Sequence, residues 1–329
     1  MAVPTQASER APERRTEVLT ELPPPPAPRS AVQMIRSLLV GMRPHQWAKN
    51  GFLFAPLVFS QQLFEPGPLL TAIAAFLLFS ATASAVYLAN DVRDVEADRR
   101  HPVKRHRPIA SGALPVRLAI AASAVLALGA LGLSLLVGRG FALVVLGYLA
   151  MNTAYSFGLK KIAWVDVGVI ATGFVLRVLA GALAIAVPVS HWLLVCTFAL
   201  ALFLGLGKRK HEILVAEEAG HDGSRARKAL KGYQLRHVNV ALLVAGTLAA
   251  VSYVLYTMAP DTHEKFGTWM ISLTVPFPAF GIWRFNRLVA RHTRASSPTE
   301  ALLTDPPFVA NMVAWMAAVV AILYFTHVA

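Results

Sequence analysis

The stretch Asn90–Gly112, NDVRDVEADRRHPVKRHRPIASG, places closely spaced charges between long apolar segments. Asp91, Asp94 and Asp98 are spaced at i, i+3 and i+7. If the preceding apolar helix continues through Asp98, this spacing puts all three side chains on one helix face. Carboxylates gathered at a membrane surface repel one another unless a divalent cation or a cationic side chain compensates their charge. The spacing therefore predicts a hard-cation site, with a solvated helix end of scattered charge as the alternative.

Basic residues follow the aspartates within the same stretch. Lys104, Arg105 and Arg107 are side chains of the types that bind phosphate oxygens left uncovered by a metal ion. The flanking apolar segments place these charges at a membrane surface. Acids followed at once by bases therefore indicate a site for a metal ion together with a phosphorylated substrate.

The composition is that of an integral membrane protein, because 56% of the 329 residues are hydrophobic and only 15% are charged. The formal net charge of +13 has a topological explanation, since basic residues collect in cytoplasmic loops beside anionic lipid. The sequence carries no RNA- or DNA-binding motif, so we expect no nucleic-acid partner. Cys196 is the single cysteine, which excludes a disulfide framework and a cysteine-based zinc site.

The chain divides into two regions. Residues 1–40 are predicted to form a disordered, Pro-rich cytoplasmic tail with a candidate interfacial helix near its end. Residues 41–329 form the transmembrane domain, in which we count nine apolar segments. These segments lie near 46–63, 69–89, 116–137, 140–157, 163–187, 191–207, 237–258, 268–284 and 308–327.

The distribution of basic residues predicts the orientation. The amino-terminal region and every second loop after it hold 28 of the 31 Lys and Arg residues. Because such residues favour the cytoplasmic side, we expect a multi-pass plasma-membrane protein with a cytoplasmic amino terminus and polar loops. The carboxyl terminus is predicted to lie outside.

A second polar group, YSFGLKKIAWVD at 155–166, joins two apolar segments. Tyr155 and Lys160 flank a glycine turn and are predicted to face the loop mouth, although a lysine here also serves simply to set the topology. Asp166 lies inside the next apolar segment, where an ionisable side chain is costly and therefore a functional candidate. Arg177, about three turns deeper, is expected to face a polar cavity or an acid.

A third polar group, GKRKHE at 207–212, ends another apolar segment. Lys208 and Arg209 are predicted to bind phosphate, with lipid headgroups as the alternative partner. Glu212 is a candidate for a further metal or hydroxyl contact.

A fourth group, RPHQWAKN at 43–50, precedes the first apolar segment. Trp47 suits an anchor at the membrane interface. The spacing i, i+3, i+6 and i+7 predicts a single polar helix face, formed by Arg43, Gln46, Lys49 and Asn50.

These residues carry a family resemblance. The NDxxDxxxD pattern at 90–98 resembles that of the UbiA-type polyprenyltransferase superfamily, and RPHQWAKN with YSFGLKKIAWVD resembles its decaprenyl-phosphate phosphoribosyltransferase branch. The resemblance covers about residues 41–329. It implies an all-α integral membrane fold, with about nine transmembrane helices around a central cavity open to the cytoplasm. It also implies Mg2+ on the aspartates, a donor diphosphate held by that ion, and a polyprenyl chain in a lipid-facing groove.

The basic loop after the sixth apolar segment departs from the common superfamily pattern, which has a second aspartate-rich motif there. More bases and fewer acids favour a donor with more phosphate charge than one diphosphate. We therefore expect phosphoribosyl pyrophosphate as donor and polyprenyl (decaprenyl) phosphate as acceptor, on the route to a lipid-linked arabinose donor for cell-wall arabinan.

The residue patterns and the resemblance together predict a role for each candidate residue. The metal ligands are expected to be Asn90, Asp91, Asp94 and Asp98. The catalytic set is expected to be Asp91, Asp94, Tyr155, Lys160 and Asp166. The substrate contacts are expected to be Arg43, Gln46, Lys49, Asn50, Asn90, Lys104, Arg105, Arg107, Arg177, Lys208, Arg209 and Glu212. The sequence is compatible with a homo-oligomer and indicates no interface for it.

Two other functions are compatible with parts of the pattern. Prenyl transfer from a polyprenyl diphosphate to an aromatic acceptor predicts an acidic loop after the sixth segment, where the chain has basic residues. Transport of an anionic solute predicts polar groups near the middle of the membrane, whereas here they gather in cytoplasmic loops.

Overall fold

The structure is a computed structural model that describes residues 30–159, 162–218, 230, 232–290, 302 and 304–326. These residues form helices and no strand. The α-helices are α1 (Ala31–Met42), α2 (Ala55–Phe59), α3 (Pro66–Arg93), α4 (Val95–Arg99), α5 (Val116–Val137), α6 (Arg139–Phe157), α7 (Val165–Ala184), α8 (His191–Glu218), α9 (Leu235–Met258), α10 (Pro260–Phe266), α11 (Pro276–Ala290) and α12 (Pro306–Phe325). Three 3₁₀ segments accompany them at Pro44–Phe54, Lys104–His106 and Met270–Thr274.

Seven helices in the described part of the chain are long and apolar enough to cross a membrane. They are α3, α5, α6, α7, α8, α9 and α12. The other two predicted apolar segments, near 46–63 and 268–284, are broken into 3₁₀ and α-helical pieces. Seven of the nine segments are therefore continuous spans, and two are irregular.

The 3₁₀ segment Pro44–Phe54 packs against both α3 and α7. Its backbone approaches α7 so closely that a Cβ at Gly181 would lie 2.0 Å from the carbonyl oxygen of Leu53. Only glycine fits there, since a β-carbon never tolerates so short a contact. A glycine in α7 therefore makes room for the irregular segment.

The helices form a ring. The helices α3, α5, α6, α7, α8 and α9 each pack against the next one in this series, and α11 joins α9 to α12. The ring closes because α12 returns to α2: Gln61 Nε2 donates to the carbonyl of Leu323 at 2.8 Å, and Tyr324 Oη donates to that of Val58 at 3.1 Å. The buried side chains Val58, Val319 and Leu323 fill the same junction.

The charged groups collect at one end of this ring. The helices α3, α6 and α8 end there, and α7 and α9 begin there. The twenty-eight residues of α3 rise about 42 Å and so separate this polar end from the end where α3 begins. The polar clusters predicted from the sequence therefore lie at a common end of the bundle.

Candidate functional site

A pair of buried aspartates shares one arginine. Asp91 and Asp98 are each only 4% exposed. Arg107 Nη1 lies 3.1 Å from Asp91 Oδ1 and 2.6 Å from Asp98 Oδ2. Two buried carboxylates would be costly without this compensation. Arg107 thus stands between two of the three predicted aspartates.

A second arginine contacts the carboxylate of Asp91. Arg43 Nη2 donates to Asp91 Oδ1 at 2.6 Å, and its guanidinium lies 5.2 Å from the ring centre of Tyr87. Arg43 has φ +54°, a left-handed conformation that ends α1 and is uncommon for a residue with a side chain. This sharp turn directs the arginine from the end of α1 to the aspartates.

The third aspartate lies at a break in the helix. α3 ends at Arg93 and α4 begins at Val95, with Asp94 between them at φ −91° and ψ 7°. The helical hydrogen-bond pattern still crosses the junction, since Asp98 N donates to Asp94 O at 2.8 Å. Within the described ranges, no three His, Cys, Asp or Glu side chains converge as they would around a metal ion. The aspartates therefore do not form the predicted cluster of three.

Asn90 begins the aspartate pattern and is bound to another helix. Its Oδ1 accepts a hydrogen bond from Ser156 Oγ near the end of α6. This bond fixes the end of α3 against α6 and orients the amide beside the aspartate pair.

Asp166 organises a second cluster at the same end of the bundle. The carboxylate is 5% exposed, and its Oδ2 lies 3.0 Å from Arg209 Nε. Its Oδ1 accepts hydrogen bonds from the hydroxyl of Tyr233 and from Val167 N, the latter at 2.8 Å. The carboxylate of Asp166 at the start of α7 is therefore held by one cation and two hydrogen-bond donors.

Arg209 is bound by two acids. Besides Asp166, it pairs with Glu212 one turn further along α8. Lys208 Nζ lies 4.0 Å from Glu212 Oε1 and remains more exposed. The side chain of Arg209 is therefore held in place, whereas Lys208 is the more available cation. Tyr155 is half-buried on α6, and Lys160 lies outside the described residues.

Tyr233 is the residue of this cluster that sequence reasoning missed. It precedes α9, and its hydroxyl also accepts a hydrogen bond from Trp164 N at 2.9 Å. Burial and the hydrogen bond to Asp166 raise the pKa of Tyr233 above its ordinary value, so its hydroxyl stays a donor. Its only sequence signal is a lone aromatic residue in a polar loop, 67 positions from Asp166.

The RPHQWAKN group does not form the predicted single face. With about three residues per turn in a 3₁₀ helix, Trp47, Asn50 and Leu53 share one side and point into the protein. Trp47 Nε1 donates to Ser84 Oγ at 3.1 Å, so this ring is bound to α3. Gln46 and Lys49 are half-buried on another side of the segment.

Asn50 and Arg177 bind each other in the interior. Arg177 Nε donates to Asn50 Oδ1 at 2.8 Å, and its other nitrogens donate to Gly173 O and Tyr148 Oη. Aromatic rings, including that of Phe79 at 5.4 Å, surround the guanidinium. No carboxylate of the described residues pairs with Arg177. Of the two surroundings predicted for Arg177, a polar cavity or an acid, the acid is absent here, and neutral acceptors and rings compensate the charge instead.

The remaining basic candidates lie at the surface beside the aspartates. Lys104 and Arg105 belong to an exposed 3₁₀ turn, where Arg105 Nε donates to His106 at 3.3 Å. Among the basic residues from Lys104 to Arg107, only Arg107, which ends this turn, reaches the carboxylates.

Comparison with known proteins places this arrangement in a family. The model of the UbiA prenyltransferase family matches residues 51–211. A decaprenyl-phosphate phosphoribosyltransferase of Corynebacterium glutamicum is 36% identical over 292 residues, which cover 87% of this chain and 86% of that protein. A protein of the same name from Mycobacterium tuberculosis is 35% identical over 296 residues, covering 89% of this chain and 96% of that one. The chain belongs to the UbiA prenyltransferase family.

The UbiA fold is also seen among solved structures. A UbiA homologue from Archaeoglobus fulgidus, bound to DMAPP and Mg2+, matches with a TM-score of 0.65 and 18% identity, covering 88% of this chain and 99% of that one. The predicted family and the predicted all-α membrane fold are both confirmed.

The side-chain oxygens around Asp91 in this UbiA protein are suitable ligands for a hard divalent cation. Asp91 Oδ1 and Asp98 Oδ2 already converge on one cationic atom, Arg107 Nη1. Mg2+ is usually bound by one or two carboxylates together with substrate phosphates and water, so a cluster of three is not required. The amide oxygen of Asn90 is a further oxygen donor of the kind such ions accept.

Proposed function

We propose that this protein transfers the 5-phosphoribosyl group of phosphoribosyl pyrophosphate to decaprenyl phosphate and releases diphosphate. The observation that carries the proposal is the similarity, over most of both chains, to the two decaprenyl-phosphate phosphoribosyltransferases. The paired acidic and basic side chains at one end of the bundle are the groups that a multiply phosphorylated donor requires.

The reaction is a substitution at C1 of the ribose. An oxygen of the lipid phosphate forms the new bond to C1, and the bond from C1 to the diphosphate oxygen breaks with its electron pair leaving on diphosphate. The lipid phosphate is already an anion and needs little help from a general base. The main demand on the protein is therefore to compensate the charge of the leaving group.

We assign the diphosphate to the Asp91 and Asp98 end of the site. Mg2+ held by these two carboxylates, with Asn90 and Asp94 beside them, would neutralise the diphosphate charge when bound. Arg107 and Arg43 lie against the same carboxylate, so their guanidinium groups are within reach of phosphate oxygens held there. Lys104 adds an exposed cation to this end.

The Asp166 cluster would hold the other part of the donor. Asp166 and Tyr233 fix Arg209 in one orientation, and a fixed cation stabilises charge without reorganising during the reaction. Lys208 is the more exposed neighbour and suits the sugar 5-phosphate or the lipid phosphate. Tyr155, on helix α6, would orient a ribose hydroxyl, with Lys160 as a further candidate contact.

Three of the residues predicted to contact substrate bind other parts of the protein instead. Asn50 and Arg177 join the 3₁₀ segment to α7 in the interior. Arg105 binds its neighbour His106 at the surface. We therefore assign these three to the framework.

The deciding experiment offers two donor–acceptor pairs to the purified protein with Mg2+. Labelled phosphoribosyl pyrophosphate with decaprenyl phosphate should give a labelled lipid, and a polyprenyl diphosphate with 4-hydroxybenzoate should give no product. A product from the second pair alone would refute the donor assignment. No product from either pair would refute the proposed reaction altogether.

The matched variants are Asp91→Asn and Glu96→Gln. Asp91 is buried against two arginines, whereas Glu96 is exposed on the same stretch and pairs only with Arg99. Turnover should fall by at least about 100-fold in Asp91→Asn and stay near normal in Glu96→Gln. Equal activity of the two variants would remove Asp91 from the metal site.

A further inference from the structure

A cavity of about 370 Å³ lies at the end of the bundle opposite the aspartates. Its wall is built by Pro56 and Phe59 of α2, Val178 and Ala182 of α7, and Leu193 of α8. These side chains are apolar, and the volume is within the range of small-ligand sites. This apolar part of the cavity, called the chamber below, therefore suits a hydrocarbon chain or another apolar group.

One cationic side chain, that of Lys265 on α10, lines this cavity. No carboxylate of the described residues forms an ion pair with this lysine. Its side chain is solvent-exposed, yet nearby protein atoms desolvate the ammonium enough to lower the pKa of Lys265. An anion bound here would supply the missing counter-charge.

An unpartnered acceptor lines the same cavity. Gln62 Oε1 is buried and has no hydrogen-bond partner among the described residues. A buried polar atom without a partner is rare in a folded protein and points to a missing donor. A hydroxyl of a ligand or a water carried with it would satisfy this oxygen.

The position of the cavity indicates the kind of ligand. α3 begins and α7 ends at this level, so the cavity opens where the helices reach the membrane surface. At that depth, lipids present a charged headgroup next to an apolar chain. The cavity has the complementary arrangement, since Lys265 is exposed whereas Val178 and Ala182 of its wall are buried.

We infer that this cavity is a second ligand site, separate from the reaction site, for an anionic amphiphile whose headgroup pairs with Lys265 and whose chain fills the apolar chamber. The two sources of such a ligand are an anionic phospholipid and a polyprenyl phosphate.

The test measures lipid retained by the purified full-length protein, using native mass spectrometry and a binding titration. The probes are dioleoyl phosphatidylglycerol, dioleoyl phosphatidylcholine and decaprenyl phosphate. Lys265→Gln should weaken retention of the anionic probe about fivefold. Arg139→Gln is the matched control, because Arg139 is an exposed basic residue at the same end but does not line the cavity.

A second variant tests the chamber. Leu193→Phe puts a larger side chain into the cavity and should reduce retention by at least as much as Lys265→Gln, while a thermal unfolding scan verifies its fold. Decaprenyl phosphate is also a substrate in the proposed reaction. If it is the cavity ligand, the number of decaprenyl phosphate molecules bound per chain should therefore fall from two to one in these variants. A selective effect on phosphatidylglycerol would identify a phospholipid instead.

Three outcomes would contradict the inference. The inference fails if phosphatidylcholine binds as well as both anionic probes, or if neither anionic probe is retained. It also fails if Lys265→Gln and Arg139→Gln weaken binding equally, since that would indicate general attraction to the basic protein.

Discussion

Arg107 acts as the internal counter-ion of the aspartate pair, which makes it a competitor of a metal ion for the same oxygens. It lies within 3.1 Å of both Asp91 and Asp98. A metal ion held between the two carboxylates would require the guanidinium to move away. Arg107 would then be available to the phosphate oxygens of the donor.

Arg107→Gln should separate these two effects. Affinity for Mn2+, a spectroscopic substitute for Mg2+, should rise several-fold in the absence of donor, because the carboxylates have lost a competing cation. Affinity for phosphoribosyl pyrophosphate should fall about tenfold or more, as expected for a lost charged hydrogen bond. Electron paramagnetic resonance and calorimetry measure the two quantities.

Arg105→Gln is the control for this substitution, since Arg105 carries the same charge two residues away and its side chain donates to His106 at the surface. Metal and donor affinities of Arg105→Gln should both stay near those of the unaltered protein. Unchanged metal affinity in Arg107→Gln would show that the guanidinium and the ion do not compete.

Tyr233→Phe should lower turnover about tenfold, because Asp166 loses the hydroxyl that helps to fix Arg209. Steady-state kinetics would show the loss mainly in kcat, with a smaller change in the KM for donor. Tyr256→Phe serves as the control, as its ring packs on Phe59 at the far end of α9. Similar kinetics in the two variants would assign Tyr233 to packing alone.

The sequence identified the charged members of both clusters but could not pair them. Asp91 and Asp166 stand out because an acid near or inside an apolar segment is costly. Their partners come from distant positions: Arg43 is 48 residues from Asp91, and Tyr233 is 67 from Asp166. No local spacing encodes such contacts, so they became visible only in the folded chain.

Among the secondary-structure elements, the 3₁₀ segment Pro44–Phe54 is the one whose polar face helical periodicity did not predict correctly. A regular α-helix would have put Asn50 on the polar face with Arg43 and Gln46. Three residues per turn instead place Asn50 on the inner side, where Ser80 and Arg177 bind it. The sequence shows the polar residues, but tertiary packing against α3 and α7 determines which helix type they adopt.

Gly181→Ala tests the importance of this packing. The new methyl group would lie 2.0 Å from Leu53 O and would force the 3₁₀ segment away from α7. We expect a fall in the thermal unfolding midpoint of several degrees, corresponding to a loss of about 1–3 kcal/mol, and lower activity.

Gly168→Ala is the matched control in the same helix, since nothing lies within 4 Å of its Cβ position. That variant should unfold at the same or a higher temperature, because alanine favours a helix by about 1 kcal/mol over glycine. If Gly181→Ala proved as stable as Gly168→Ala, the close approach of the segment to α7 would be wrong.

For the whole molecule, length and hydropathy were sufficient to predict the seven continuous spans, since a stretch of about 20 apolar residues has few other stable arrangements. They were not sufficient for the two broken segments, whose irregular backbone depends on neighbouring helices for its hydrogen bonds. The closure of the ring by α12 on α2 involves residues more than 260 positions apart and has no local signature.

Orientation in the membrane is a testable property of the whole chain. We expect Ser111→Cys, in the loop beside Arg107, to react with a membrane-impermeant maleimide only in inverted vesicles. Glu264→Cys, on α10, should react only in right-side-out vesicles. Both substitutions belong in a Cys196→Ser background, because Cys196 is the single native thiol. The reverse pattern would place the reaction site on the outer face.

One helix joins the two ends of this molecule. α7 carries Asp166 at its start and Ala182 beside the far cavity, about 24 Å apart along the helix axis. If a lipid in the cavity shifts α7, the donor affinity at Asp166 changes by some factor, and thermodynamic reciprocity requires donor binding to change lipid affinity by that same factor. Through such a coupling, the lipid content of one membrane face and the supply of sugar phosphate at the other would regulate each other without direct contact.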